Sequence, residues 1–260
     1  MNARSGSSVQ RLGCNIEKTL NKHDMQSGRI LRYLKDIAEN NDRQWFNEHR
    51  REYDIIRADF EEGVAKAILR IAEFDSTIAN ITVRDSVYRF YRDTRFSPDK
   101  SPYKRHLGAY ICLRGRKSMS GGYYMHLEPG NCLLACGCYW LPTKVLTACR
   151  NEIMANIDRW RGIVESRKFI NFFGKPGHGE WKDGAASPKG FGLNMLSTAP
   201  KGFPRDYEYI EYLRMKDYCC WKRVPDTFFN GDGWLDEMAK VFLVAKPMID
   251  FTNAVIGDYE

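Results

Sequence analysis

The chain has 260 residues, 43% hydrophobic, 28% charged and 13% aromatic. That length suits one large domain, and that balance excludes wholesale disorder, a collagen and a coiled-coil rod. No uncharged apolar run approaches the ~20 residues of a spanning helix, so the reading has no membrane partner. The formal net charge is +7, and it is concentrated: between Arg89 and Lys117 stand nine bases and only two acids, Asp93 and Asp99, so this segment holds the whole excess.

Residues 1–27 are polar and read as a loose leader, with Met25 an alternative start to Met1, because helical periodicity begins just after it. Ser27 is placed to cap a helix with Ile30, Leu31, Leu34 and Ile37 on one side. Asn40-Asn41-Asp42 breaks it, and Asp42 is placed to cap a second, long helix. Its stripe runs from Trp45 and Phe46 through His49, Tyr53, Ile56 and Phe60 to Ile71. His49 on that stripe reads as a hydrogen-bonded boundary histidine.

Near residue 80 the period changes. Residues 81–83 and 87–91 read as strand. Beyond the turn-rich run 97–102, strands are expected over 107–113, 121–127 and 131–140, joined by short turns and therefore an antiparallel meander. Pro142 suits the first turn of a helix. Another helix is expected over about 160–173. Residues 174–192 carry six glycines and read as a flexible surface loop, with 176–191 an insertion. A short helix over 207–213 and a strand over 216–222 follow, then a last helix from about Asp232 that Pro247 should kink or end. Helices, a meander and helices again make one α+β domain over 28–258: an antiparallel meander sheet flanked by N-terminal and C-terminal helices.

The eight cysteines fit reduced thiols in a cytoplasmic protein, since the chain is long, has ample apolar content and shows no signal-peptide pattern. Cys132, Cys136 and Cys138 share a face of an expected strand. There Cys132 and Cys136 would lie about 13 Å apart, too far for one zinc with ~2.3 Å bonds to sulfur. They read as packing residues, and the expectation is no metal and no cofactor.

The sharpest chemical signal is the run Arg89 to Lys104. Arginine's planar donors suit a bidentate grip on phosphate or carboxylate. In an extended run Arg89 and Asp93 face one side and Arg92 the other, so at least one arginine is expected in a structural ion pair. The strand 123–128 alternates: Tyr123, Met125 and Leu127 on an apolar side, Tyr124, His126 and Glu128 on a polar one. If that polar side borders the motif, the two form an anion site with acid–base groups. The ligand-binding set is then Arg89, Arg92, Arg95, Lys100, Tyr103, Lys104 and Tyr124, and the acid–base set is Asp93, His126 and Glu128. The partner is a small molecule bearing phosphate or carboxylate, and the protein is an enzyme acting on it or a protein that binds it. Two alternatives stand beside this. One is a nucleic-acid-binding module using segment 89–117, in which Phe90, Tyr91, Phe96, Tyr103 and Tyr110 interleave the bases. The other is a protein-interaction module whose basic patch meets an acidic surface.

Arg89, Arg92, Asp93, Arg95, Phe96, Lys100, Pro102, Tyr103 and Lys104 form an R-x-x-R-D-x-R-F…K-x-P-Y-K pattern. With it go Trp45-Phe46 and Tyr53, Gly122-Tyr123-Tyr124 through Pro129-Gly130, and Ala199-Pro200-Lys201-Gly202-Phe203-Pro204 with Asp206. In these the chain resembles the bacterial family catalogued as domain of unknown function 2461. The resemblance covers roughly residues 28–258, excludes the leader and leaves out the clustered cysteines. It implies fold and compartment and carries no mechanism.

Overall fold

The computed structural model describes residues 25–177, 179–182 and 185–260. The leader expected over 1–27 lies, as far as residue 24, outside the described residues, as do Met1 and Cys14. Met25 is buried.

The chain opens with α1 (Ser27–Glu39), α2 (Arg43–Glu48), α3 (Arg50–Ala72) and the short α4 (Val83–Ser86). The meander follows as β1 (Leu107–Ile111), β2 (Gly122–Leu127) and β3 (Leu133–Cys138). Three helices come next: α5 (Thr143–Ala155), α6 (Ile157–Val164) and α7 (Arg167–Phe173). The two-residue strands β4 (Trp181–Lys182) and β5 (Ala185–Ala186) precede β6 (Lys189–Phe191), α8 (Ile210–Arg214), β7 (Tyr218–Arg223) and α9 (Trp234–Ile256). The five-stranded sheet has the order β1-β2-β3-β7-β6 and every pairing in it is antiparallel. This is the expected α+β architecture, with helices on both sides of the meander in sequence.

Alternation divides the sheet into two faces. Tyr123, Met125 and Leu127 of β2 join Leu107, Ala109 and Ile111 of β1 and Leu134, Cys136 and Cys138 of β3 in the main core, against the helices. α9 packs across β3, burying Met238, Val241, Phe242, Ala245, Met248 and Ile249 at helical spacing. Cys132, Cys136 and Cys138 are all buried in this core as free thiols. On the other face, Leu133, Trp221 and Ala186 make a small separate cluster with Tyr124 and Ala135 around it.

Several local expectations are corrected. Residues 81–83 and 87–91 do not form regular strand. Thr82 and Asp85 cap each other's backbone to start α4, and Val87 and Tyr91 make single bridges to Ala109 and Tyr103. The second helix is interrupted at His49, whose ring stacks on Trp45 at 3.9 Å and bonds its carbonyl at 2.8 Å. Asp42 does cap, accepting from the Trp45 amide, whereas Ser27 is the first helical residue and donates its hydroxyl to Asn230. The helix expected over 160–173 is two, α6 and α7. α9 runs through Pro247 unbroken. Both Pro247 and Leu243, whose carbonyl loses a donor, face solvent.

The glycine-rich stretch differs most from expectation. Part of it is built into sheet structure: β4 pairs with β5 in a separate two-stranded ribbon, β6 pairs with β7 at the edge of the main sheet, and Gly190 lies so close to Trp221 that a Cβ there would stand 2.2 Å from the indole. The Trp221 indole donates to the Ser187 carbonyl at 3.1 Å. Gly190→Ala should therefore push the segment off the indole and lower unfolding free energy by about 1–3 kcal/mol, measured by urea denaturation.

Candidate functional site

A buried aromatic cluster fixes the motif segment. Phe46 of α2 stacks on Tyr103 at 4.2 Å, Tyr53 of α3 meets Phe90 at 4.8 Å, and Phe90 lies 5.7 Å from Tyr103. Asn41 grips the backbone of Tyr103 from both sides, at 3.0 and 3.1 Å. The chain therefore runs from residue 87 out to the turn and back to β1 along a defined course, with Tyr88 donating to the Gly108 carbonyl and Lys104 to that of Phe90.

Beside this course, on the sheet face away from the helices, β2 carries Tyr124 and His126, with Glu128 directly after it. The Tyr124 hydroxyl stands 2.8 Å from His126 Nδ1, and His126 Nε2 stands 3.1 Å from Glu128 Oε2. Asn131, in the turn after β2, donates to the same Oε2 at 2.7 Å. His106, just before β1, lies with its ring 4.4 Å from that of His126. Tyr88 meets Tyr124 edge-on, and the Lys104 ammonium sits 5.2 Å over the Tyr88 ring. Gly108 makes room: a Cβ there would lie 2.6 Å from the Tyr124 hydroxyl and 3.0 Å from its ring.

The electrostatics follow from burial and these contacts. Burial pushes the Tyr124 phenol far up and keeps it protonated. Burial, with His126 and Lys104 beside it, pushes the His106 imidazole down to about 3. Burial alone would raise the Glu128 carboxyl, but the hydrogen bonds from His126 and Asn131 outweigh it and hold it below the usual glutamate range. Burial, then the neighbouring Arg89 guanidinium, lowers the half-buried Lys104 amine.

The expected residues divide into two groups. Lys104, Tyr124, His126 and Glu128 come together, with Arg89 near Lys104. The others stand apart. Arg92 donates to Asp99 at 2.6 Å, the Ser101 carbonyl at 3.1 Å and the Ser97 hydroxyl at 3.3 Å. Arg95, 77% exposed, pairs with Asp93 at 2.7 Å. Lys100 bonds the Thr94 carbonyl. Arg92 and Tyr103 line a half-open groove of about 340 Å³ with Arg43, Asn47 and Tyr91, away from the histidines. Among the described residues, Arg89 and Lys104 have no carboxylate within ion-pair distance (the described pairs all lie elsewhere). Of the five interleaved aromatics, Phe90 and Tyr103 are core and the Tyr110 hydroxyl is bonded to the Ser120 and Gly137 carbonyls, leaving Tyr91 and Phe96 exposed.

Sequence reasoning missed His106, Asn131 and Tyr88. The signal for His106 was register: with Leu107 opposite Leu127, the residue before β1 faces Glu128. The long connection between β1 and β2 does not fix that register in advance.

Two measurements check this geometry. Tyr124→Phe removes the donor at His126 Nδ1 and should cost about 1 kcal/mol in urea unfolding. Asp93 is held at about 2, chiefly by its hydrogen bonds from Arg95. Because the folded value is depressed, the pair's contribution is complete above the unfolded value near ~3.9 and is lost as pH falls through about 2. In Arg95→Ala, which keeps the backbone N–H bond to Asp93, the Asp93 carboxyl should titrate higher than in the wild type, toward ~3.9, by NMR.

No curated protein and no solved structure matches this chain. Residues 29–251 match a family of conserved hypothetical proteins, a span that contains the motif, the groove and the histidine cluster. The chain belongs to that family, DUF2461.

Proposed function

We propose that the domain over 28–258 binds a small molecule bearing phosphate or carboxylate on the outer face of β1 and β2, in a cytoplasmic setting where its free thiols persist. The observation that carries this reading is Lys104: a half-buried ammonium beside Arg89 with no carboxylate to meet it among the described residues. Burying a charge without a partner is costly, and an anionic ligand supplies the missing counter-charge. The expected set is thereby narrowed to Arg89 and Lys104 as the anion grip, with Tyr124, His126 and Glu128 beside it. A linked hydroxyl, imidazole and carboxylate next to an anion site is what proton transfer on the bound molecule requires, which is the enzymatic form of the reading. A small anion is favoured over a polynucleotide because two of the interleaved aromatics are core and the arginines of the turn are paired with Asp93 and Asp99.

The test is thermal unfolding with inorganic phosphate or citrate against chloride at matched ionic strength. The wild type should melt higher with at least one of the two. Lys104→Met should lose that rise and Arg95→Ala should keep it. An equal rise in Lys104→Met, or none in the wild type, would sink the reading.

A further inference from the structure

We infer that His106, His126 and Glu128 hold a divalent transition-metal ion of the zinc class. Each of the three offers one ligand atom, and these atoms lie within 4.8 Å of one another. His126 Nε2 and Glu128 Oε2 are 3.1 Å apart, the spacing that two neighbouring ligands take around an ion with bonds of about 2.1 Å. The His106 ring lies 4.4 Å from that of His126, which puts a second imidazole beside the same pair of ligand atoms. Two imidazoles and one carboxylate suit zinc, cobalt or ferrous iron and disfavour magnesium and calcium, which prefer all-oxygen shells. Three protein ligands also leave positions open for water or substrate, as catalytic sites do and closed structural sites do not.

The surroundings resemble those of built metal sites. A ligating histidine donates its other ring N–H to a fixed acceptor. Here Nδ1 of His126 faces the Tyr124 hydroxyl at 2.8 Å, and in the metal-bound form Nδ1–H donates and the hydroxyl oxygen accepts. The ligating carboxylate is itself held, by the Asn131 amide at 2.7 Å, and Asn131 is fixed in turn by the Ala186 amide at 3.1 Å. Among the described residues no hydrogen bond involves the His106 side chain, whose ring lies against that of His126. The expectation from sequence was no metal, argued from the cysteines. Those thiols are on the other, core face of the sheet, so that argument does not touch this cluster. Lys104 and Arg89 add positive potential that opposes a bare cation. A bound anion would offset it, so metal and anion should each tighten the other. The inference does not rest on the anion reading, and its test uses the metal alone.

The full chain is stripped with a chelator, desalted and titrated with zinc by calorimetry and with cobalt(II) by visible absorption, in a non-coordinating buffer without phosphate or citrate. Wild type is expected to bind one equivalent of zinc. Its cobalt spectrum should lack the intense near-ultraviolet band of thiolate coordination. His106→Asn and Glu128→Gln should weaken zinc binding at least ~100-fold, the upper end of what loss of a supporting residue does, while Cys132→Ser leaves it unchanged. Circular dichroism and melting establish that each variant folds. If one does not, the wild-type stoichiometry and cobalt spectrum decide. Absence of stoichiometric binding by the wild type, a thiolate band, or full affinity in folded His106→Asn and Glu128→Gln overturns the assignment.

Discussion

Lys104 brings a positive charge into a half-buried position where, among the described residues, no carboxylate answers it, and the surrounding architecture holds it there. Its backbone amide is bound to the Phe90 carbonyl, and the next residue back, Tyr103, is stacked on Phe46 and clasped by Asn41. The backbone from which the side chain projects is thereby fixed by an aromatic core. Two arginines of the motif are in the opposite condition. Arg92 and Arg95 are each satisfied within their own turn, by Asp99 and Asp93, so their charge serves the shape of the loop. The motif's cations thus include structural arginines, Arg92 and Arg95, and an unanswered Lys104 beside the histidines, with Arg89 near it.

β2 links Lys104 to acid–base chemistry. Its inner residues are sealed against α9 and the N-terminal helices, with Tyr123 packed 5.1 Å from Phe242 and hydrogen-bonded to Asp75. A strand anchored this firmly on one face presents the other with little freedom. His126 is consequently held at hydrogen-bond distance from both Tyr124 and Glu128, and Gly108 on the neighbouring strand supplies the space in which the tyrosine ring lies. The same rigidity serves a proton relay or a metal ligand set, since both need donors fixed before a ligand arrives.

Much of the fold was legible in the residues. The meander strands, the division of β2 into Tyr123-Met125-Leu127 and Tyr124-His126-Glu128, the capping by Asp42 and the burial of the clustered cysteines follow from period and side-chain type alone. What failed were features decided by tertiary context. Residues 81–91 have strand propensity, but the Thr82–Asp85 capping box wins locally. The glycines near 176–191 look like slack in sequence, yet Gly190 lies against Trp221 and its neighbours pair with β7. Pro247 is tolerated because its side of α9 faces solvent. At the site, the polar half of β2 was readable and His106 was not. Its place opposite Glu128 depends on a register that only the packed sheet defines. Which arginines pair with which carboxylates was equally unreadable, because Asp93 and Asp99 each have several bases within reach in sequence.

The most direct measurement is a crystal structure of the protein grown in phosphate. The anion is expected on the outer face of β1 and β2, within hydrogen-bond distance of Lys104 Nζ. A phosphate seated instead in the groove between Arg43 and Arg92, or Lys104 neutralised by a carboxylate of the protein itself, would contradict it.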